Sequence, residues 1–209
     1  MPNEKTIIRI SERLNEPDWM LDRRLEAFEK FKELNMPSFK YGIGISVDVS
    51  ELDLNKLNPG DNLDKYVVRS EGAKVMSFKE ALENDETILR ENFMTKCVLA
   101  NEDKFTAFHA AFFNNGILIR IPENAEIKTP IELHLDFTEE FRTDHILIIA
   151  EKNSSVIITE VSSSTNNKGF RNQYDRGGLQ HGLRAFIQEF KKDEARLILK
   201  LNPAYALPA

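Results

Sequence analysis

The second half of the chain repeats one arrangement three times: an apolar strand, a short polar turn and a second apolar strand. The repeats are residues 117–127, 146–158 and 186–198, and their turns are Pro122-Glu-Asn-Ala, Glu151-Lys-Asn-Ser and Lys191-Lys-Asp-Glu. Repeated units of this kind are typical of solenoids, in which each coil packs on the next. The repeats are unevenly spaced, and a sandwich of antiparallel hairpins would produce a similar string. The pattern favours a solenoid and leaves the sandwich open.

Helical periodicity dominates the chain before Phe105 and fades after it. Apolar residues at helical spacing predict a helix from Ser11 to Leu34, with Ser11 or Asn15 as its possible cap. A second helix is predicted from Met76 to Asn92, opened by the capping-box pattern Ser77-Phe-Lys-Glu. These periodicities place helices in the first half of the chain.

The change in periodicity divides the chain into two regions. We predict a mainly helical or mixed region at residues 1–101 and a β-rich region at residues 102–209, with an uncertain C-terminal segment. Residues 39–49 alternate small or polar with apolar side chains and are predicted to be extended. The predicted fold class is therefore α+β, with a partial solenoid after the helices.

Composition and charge argue against several functional classes. The formal net charge of −6 offers no basic surface for nucleic acid. No apolar run approaches the ~20 residues needed to cross a bilayer, and the first residues lack the apolar segment of a secretory signal. The single cysteine, Cys97, cannot form an intramolecular disulfide. We expect a cytoplasmic protein that binds neither nucleic acid nor membrane.

The cysteine and the histidines do not form a recognisable metal site. One thiolate cannot hold an iron–sulfur cluster, which normally takes four ligands, so Cys97 is interpreted as structural. None of the four histidines has metal-ligand spacing. We expect His134 on the polar face of a strand and His109 in a structural hydrogen bond. The other two histidines are His145 and His181.

No motif for nucleotide binding or nucleophilic catalysis is present. Gly177-Gly178 with Gly182 is not followed by the Lys-Ser/Thr of a phosphate-binding loop. The run Ser162-Ser-Ser lacks the G-x-S-x-G context of a serine nucleophile and is interpreted as part of a polar loop. Trp19 is expected to pack on its own domain rather than to anchor a partner. We therefore predict no enzyme, and no catalytic, cofactor-binding or metal-binding residue.

Five segments, in their order and rough spacing, resemble the N-terminal part of the SufB/SufD family of iron–sulfur cluster assembly proteins. The first carries the family's EP-D-W-M-L signature and is followed by the pair Met36-Pro37. The segments are Glu16–Phe28, Lys74–Leu82, Lys104–Gly116, Ile119–Ile131 and Ile148–Val156. Because several motifs agree in order, the resemblance is more specific than any one of them.

The resemblance implies a fold and a set of partners. Family members place an N-terminal helical region before a right-handed parallel β-helix, so a partial β-helix is expected here. The implied partners are a SufC-type ABC ATPase and a SufB- or SufD-type subunit, and we expect a dimer. Members of the family are about twice as long as this chain, which therefore looks truncated after the first rungs of the β-helix.

The resemblance predicts a non-catalytic scaffold subunit, SufD-like more than SufB-like. The preference for SufD rests on the lack of a position matching the family's late cluster cysteine, and no cofactor is expected in this chain. One alternative is a β-solenoid or cupin-type enzyme or binding module for a small molecule or carbohydrate. Another is an oligomeric structural protein that pairs with copies of itself.

Overall fold

The structure is a computed structural model in which helices pack on one of two facing β-sheets. It describes residues 2–37, 39–41, 45–47, 53–56, 67–95, 98–137, 141–164, 170–179, 186–191 and 194–201. The five helices of this part of the chain are α1 Glu4–Leu14, α2 Asp18–Glu33, α3 Phe78–Asn84, α4 Glu86–Asn92 and α5 Lys104–Phe112. A 3₁₀ turn covers Leu54–Lys56.

The first predicted helix is two helices in the structure. Asn3 caps α1, because its side chain accepts a hydrogen bond from the Thr6 amide. Asn15 ends α1 in the left-handed conformation with φ 53°, a conformation that asparagine tolerates better than most residues. Ser11 is therefore buried inside α1, and the prediction that Ser11 or Asn15 caps the start of a helix is wrong. Pro17 occupies the N-cap position of α2 with an extended backbone.

The second predicted helix, Met76 to Asn92, begins two residues later and breaks at Asp85. Met76 and its neighbours instead form strand β4, Lys74–Ser77. The predicted capping box is confirmed, since Ser77 and Glu80 each bind the other's backbone amide. Asp85, with φ −140° and ψ 36°, separates α3 from α4. The sequence also gave no indication of α5, which starts after the predicted boundary.

The strands of the second half alternate between two sheets. Strands β5 Asn115–Ile121, β7 Phe141–Ala150 and β9 Phe170–Leu179 are parallel neighbours in a four-stranded sheet. Strands β6 Ile131–Phe137 and β8 Val156–Ser164 are parallel neighbours in a five-stranded sheet. The predicted parallel neighbours are confirmed for these strands.

Antiparallel strands complete both sheets and form a separate hairpin. Strand β4 pairs with β5, and β3 Val67–Arg69 pairs with β6. Strand β10 Phe186–Lys191 pairs with β11 Glu194–Leu201, which also pairs with β8. Strands β1 Phe39–Tyr41 and β2 Ile45–Val47 pair with each other in the region predicted to be extended.

The predicted third repeat, residues 186–198, does not continue the parallel series. Strands β10 and β11 are separated by only two residues, which is enough for a hairpin and too few for a crossover to a parallel neighbour. The third parallel strand is β9, in which Phe170 pairs with Phe141. Residues 162–164, interpreted as loop, are the end of β8. Residues 165–169 lie outside the described residues.

The four-stranded sheet lies between the helices and the five-stranded sheet. Leu118 and Leu147 pack into the helical core, and the alternate residues Ile117 and Ile146 pack against β6 and β8. Successive side chains of a strand point to opposite faces, so this sheet is covered on both. The division into residues 1–101 and 102–209 stays a prediction. Among the described helices, none has the length and apolar character needed to span a membrane.

Two asparagine turns are hydrogen-bonded to each other. Asn124 and Asn153 occupy equivalent turn positions and both have positive φ, 60° and 56°. The Asn124 amide donates to the Lys152 carbonyl at 2.9 Å, and the Asn153 side-chain amide donates to the Asn124 side-chain oxygen at 3.1 Å. These bonds connect the turn after β5 directly to the turn after β7.

Candidate functional site

The most distinctive cluster of side chains lies where α5 meets the four-stranded sheet. We call it the junction cluster and define it as His109, His145, Phe78, Phe93 and Phe113. His109 lies on α5 and His145 on β7, and both side chains are buried. The two histidines are 36 residues apart in sequence, so no local spacing could have indicated that their rings are in contact.

The two histidines share a hydrogen bond inside the cluster. His109 Nε2 lies 2.9 Å from His145 Nδ1, so one of these nitrogens donates and the other accepts. Burial lowers the pKa of His145 from its ordinary 6.5 to about 3. The structure thus keeps His145 neutral at physiological pH. The predicted structural hydrogen bond of His109 is confirmed, and its partner is another histidine.

Aromatic rings enclose this pair. The centroid of His145 lies 4.7 Å from that of Phe93 and 5.6 Å from that of Phe78. Gly116 makes room for Phe78, because a Cβ atom at residue 116 would lie 2.7 Å from the phenyl ring. Gly116 is also the register partner of His145. The phenyl rings exclude water from the two imidazoles, so this arrangement favours a structural role for the histidine pair over proton transfer.

A buried ion pair joins α2 to the end of α5 beside the junction cluster. Arg24 is fully buried and donates to both carboxylate oxygens of Glu16, at 2.6 and 2.7 Å. Its Nη1 donates to the carbonyls of Ala111 and Phe113, and its guanidinium lies 3.8 Å from the Phe113 ring centroid. Glu16 and Arg24 both belong to the N-terminal signature segment.

The other predicted residues do not converge on this cluster. Cys97 and His181, together with Gly182, lie outside the described residues. His134 is about one-third exposed on β6, and its Nε2 lies 3.5 Å from Glu132. Trp19 packs against the helical core as expected, and its indole donates to Glu86. In the described part of the chain, no three His, Cys, Asp or Glu side chains group as metal ligands.

The chain is similar to curated proteins of iron–sulfur cluster assembly. A SufBD-family assembly protein of Pyrococcus horikoshii is 30% identical over 202 residues, covering 75% of this chain and 45% of the relative. The assembly protein SufD of Bacillus subtilis is 29% identical over 194 residues, and a SufBD-family protein of Staphylococcus epidermidis is 25% identical over 206. The chain belongs to the SufB/SufD family. No protein-family model matches it.

The SufB/SufD signature is explained here by packing. Glu16 and Arg24 form the buried ion pair, and Met20, which lies between them in sequence, is buried in the helical core. The chain spans less than half the length of these three curated relatives, which the alignments cover to 45%, 44% and 43%. The described residues form a helical layer and the parallel strands from β5 to β9.

Proposed function

We propose that this chain is a non-catalytic scaffold subunit of the SUF system of iron–sulfur cluster assembly. The observation that carries the proposal is the similarity to proteins named for cluster assembly, together with strands that alternate between two parallel ladders. We propose that these strands are the first coils of a right-handed parallel β-helix. A stack of this kind offers long, rigid edges for pairing with another subunit rather than an enclosed catalytic pocket.

The proposed role is SufD-like more than SufB-like. It is supported by the Bacillus subtilis relative, which is named SufD, and by the single cysteine of the chain. One thiolate does not supply the ligands of a cluster, so we propose that the isolated chain holds none. Reconstitution with iron and sulfide under anaerobic conditions tests this. A stable cluster absorbance that disappears in Cys97→Ser would contradict it.

The proposed partners are a SufC-type ABC ATPase and a SufB- or SufD-type subunit, in the cytoplasm. The edge strands β9 and β10 support pairing through the β-rich half, because each is the outer strand of its sheet. Edge strands present unpaired backbone groups to a neighbouring strand. We propose that the chain forms a dimer through this half when it is alone.

Copurification tests the scaffold role. The chain is coexpressed with a SufC-type ATPase and a SufB-type subunit, each tagged in turn, and the complexes are separated by size exclusion with light scattering. The proposal expects coelution with the SufB-type subunit. Retention of neither protein would contradict the scaffold role, and a stable monomer of 24.1 kDa for the chain alone would contradict only the self-association.

A β-solenoid or cupin-type enzyme has less support. Such an enzyme needs acid–base groups that converge on an open cleft. In the part of the chain that the structure describes, the histidines that do converge, His109 and His145, are hydrogen-bonded to each other among phenyl rings. No specific observation favours this function over the scaffold.

A further inference from the structure

Two arginines on neighbouring helices lie beside the ring of Trp19. The Arg23 guanidinium on α2 is 4.9 Å from the ring centroid, and the Arg90 guanidinium on α4 is 5.9 Å from it. At these distances a cation is attracted to the electron-rich face of an indole. We call Trp19, Arg23 and Arg90 the arginine–tryptophan surface.

The backbone at the end of α4 fixes the position of Arg23. Its Nη2 donates to the Arg90 carbonyl at 2.8 Å, and its Nη1 donates to the Phe93 carbonyl at 3.4 Å. A guanidinium carries more N–H donors than these two bonds use. Arg23 is half-buried, whereas Arg90 is exposed. A ligand therefore meets one cation that is already ordered, which lowers the entropy cost of binding.

The two positive charges lie together without an ion pair to neutralise them. In the part of the chain that the structure describes, neither guanidinium pairs with a carboxylate. Burial and the charge of Arg90 lower the pKa of Arg23, and the carboxylate of Glu26 raises it. The carboxylate of Glu86 accepts a hydrogen bond from the Trp19 indole at 2.7 Å. Arginine stays charged in proteins, so an anion bound here would offset the repulsion between the two cations.

The surroundings favour a carboxylate carried by a protein over a polyanion. The chain has a formal net charge of −6, and Glu26 and Glu86 lie beside the surface. A nucleic acid or a polyphosphate would bring several negative charges close to these acids. A single carboxylate instead fits the planar fork of one arginine in a bidentate pair. Arginine and tryptophan are also the residue types that contribute most to binding at protein interfaces.

We propose that the arginine–tryptophan surface binds an aspartate or glutamate side chain of a partner protein. Arg90 and Arg23 pair with the incoming carboxylate, and Trp19 stays packed on its own domain beneath them. The surface lies on α2 and α4, so it is a second contact in addition to the strand edges of β9 and β10. The inference does not depend on the scaffold role, because it rests on the geometry and charges of the two helices.

Nuclear magnetic resonance of the full chain tests the proposal with an acetylated, amidated diglutamate peptide as the probe. The chain has one tryptophan, so the indole N–H of Trp19 gives a single signal at the surface itself. We expect this signal to shift saturably with a millimolar dissociation constant, because each exposed ion pair contributes little. Added salt weakens the binding, and a diglutamine peptide produces no saturable shift.

Three variants separate this surface from a general charge effect. Arg90→Gln should weaken peptide binding at least about threefold, and Arg90→Lys, which keeps the charge and loses the fork, should lie between it and the wild type. Lys128→Gln is the matched control, since it removes an exposed cation between β5 and β6, and it should bind like the wild type. Glu86→Gln keeps an acceptor for the indole and removes a negative charge, so it should tighten binding by about twofold. The spectrum of each variant also reports whether it is folded.

Three outcomes would each overturn the proposal. They are the lack of a saturable shift with the diglutamate peptide, equal losses in Arg90→Gln and Lys128→Gln, and binding of inorganic phosphate as tight as that of the peptide. The last of these would identify a site for small anions instead. Because the probe is a peptide, each outcome is distinguishable from a failure of copurification with a SufB-type subunit.

Discussion

At the scale of single residues, the positive charge of the fully buried Arg24 is neutralised by one partner. That partner is the carboxylate of Glu16, and backbone carbonyls accept further hydrogen bonds from Arg24. A buried ion pair is not necessarily more stable than an apolar pair of the same size, but the loss of one partner strands a charge in the interior. A variant that lacks only one partner should therefore be less stable than a variant that lacks both.

Glu16→Gln is expected to lower the free energy of unfolding by ~3–5 kcal/mol, since Arg24 then stays charged without a counterion. Combining it with Arg24→Met should recover much of the loss. Urea denaturation measures both. As a control, Glu33→Gln removes an exposed ion pair with Lys30 and should leave stability nearly unchanged. A Glu16→Gln protein as stable as the control would contradict this account.

His145 makes stability depend on pH in a definite direction. Its pKa is about 3 in the folded protein and 6.5 in the unfolded chain, because burial disfavours the imidazolium. The unfolded chain therefore binds the extra proton as pH falls below 6.5, and stability decreases from there towards pH 3. The expected slope for this residue is about 1.4 kcal/mol per pH unit.

The test compares urea denaturation at pH 6.5 and pH 5 in the wild type and in His145→Gln. The wild type should lose more stability over this interval than the variant does. His134→Gln, which removes a histidine of the other sheet, should keep most of the wild-type slope because His145 is still present. Equal slopes in the wild type and His145→Gln would show that His145 accepts a proton when folded.

At the scale of elements, the turn after β7 combines backbone strain with a hydrogen bond to the turn after β5. Asn153→Ala removes the bond to Asn124 and keeps a side chain in the left-handed region, so we expect a loss of about 1–2 kcal/mol. Asn153→Gly loses the same bond but relieves the strain, and should be destabilised less. Thermal unfolding compares the stabilities of the two variants. If Asn153→Gly were less stable than Asn153→Ala, the positive φ of Asn153 would not be a source of strain.

At the scale of the whole molecule, one core joins the helices to the sheet. Leu118 of β5 and Leu147 of β7 pack in the same cluster as Met20 and Phe31 of α2. Lys104 on α5 strengthens the connection, because its ammonium donates to the carbonyls of Phe31 and Leu34 at the end of α2. The helical and β-rich regions therefore share their buried surface.

We expect these regions to unfold together. Fluorescence of Trp19 reports the helical layer, and circular dichroism in the far ultraviolet reports the backbone of both regions. The two signals should give coincident urea transitions. Alanine at Leu147 should shift both midpoints equally, since this residue lies on β7 and packs against the helices. Separate transitions would show that residues 1–101 fold independently of the strands.

Much of the secondary structure could be predicted from local patterns. The repeated apolar strands around polar turns located the cores of β5, β7 and β8, and the capping box located the start of α3. The missed α5 is apolar on almost every side, because it is buried between α2 and the sheet, so it has no amphipathic stripe to detect.

The sequence by itself determined the family, the capping box at Ser77 and the polar turns at residues 122–125 and 151–154, because these depend on neighbouring residues. Only the tertiary structure decided that His109 meets His145, that the buried ion pair of Glu16 and Arg24 binds the end of α5, and that β9 rather than β10 continues the parallel series. Each of these contacts joins elements that are distant in sequence, and their energies depend on burial that no local spacing encodes.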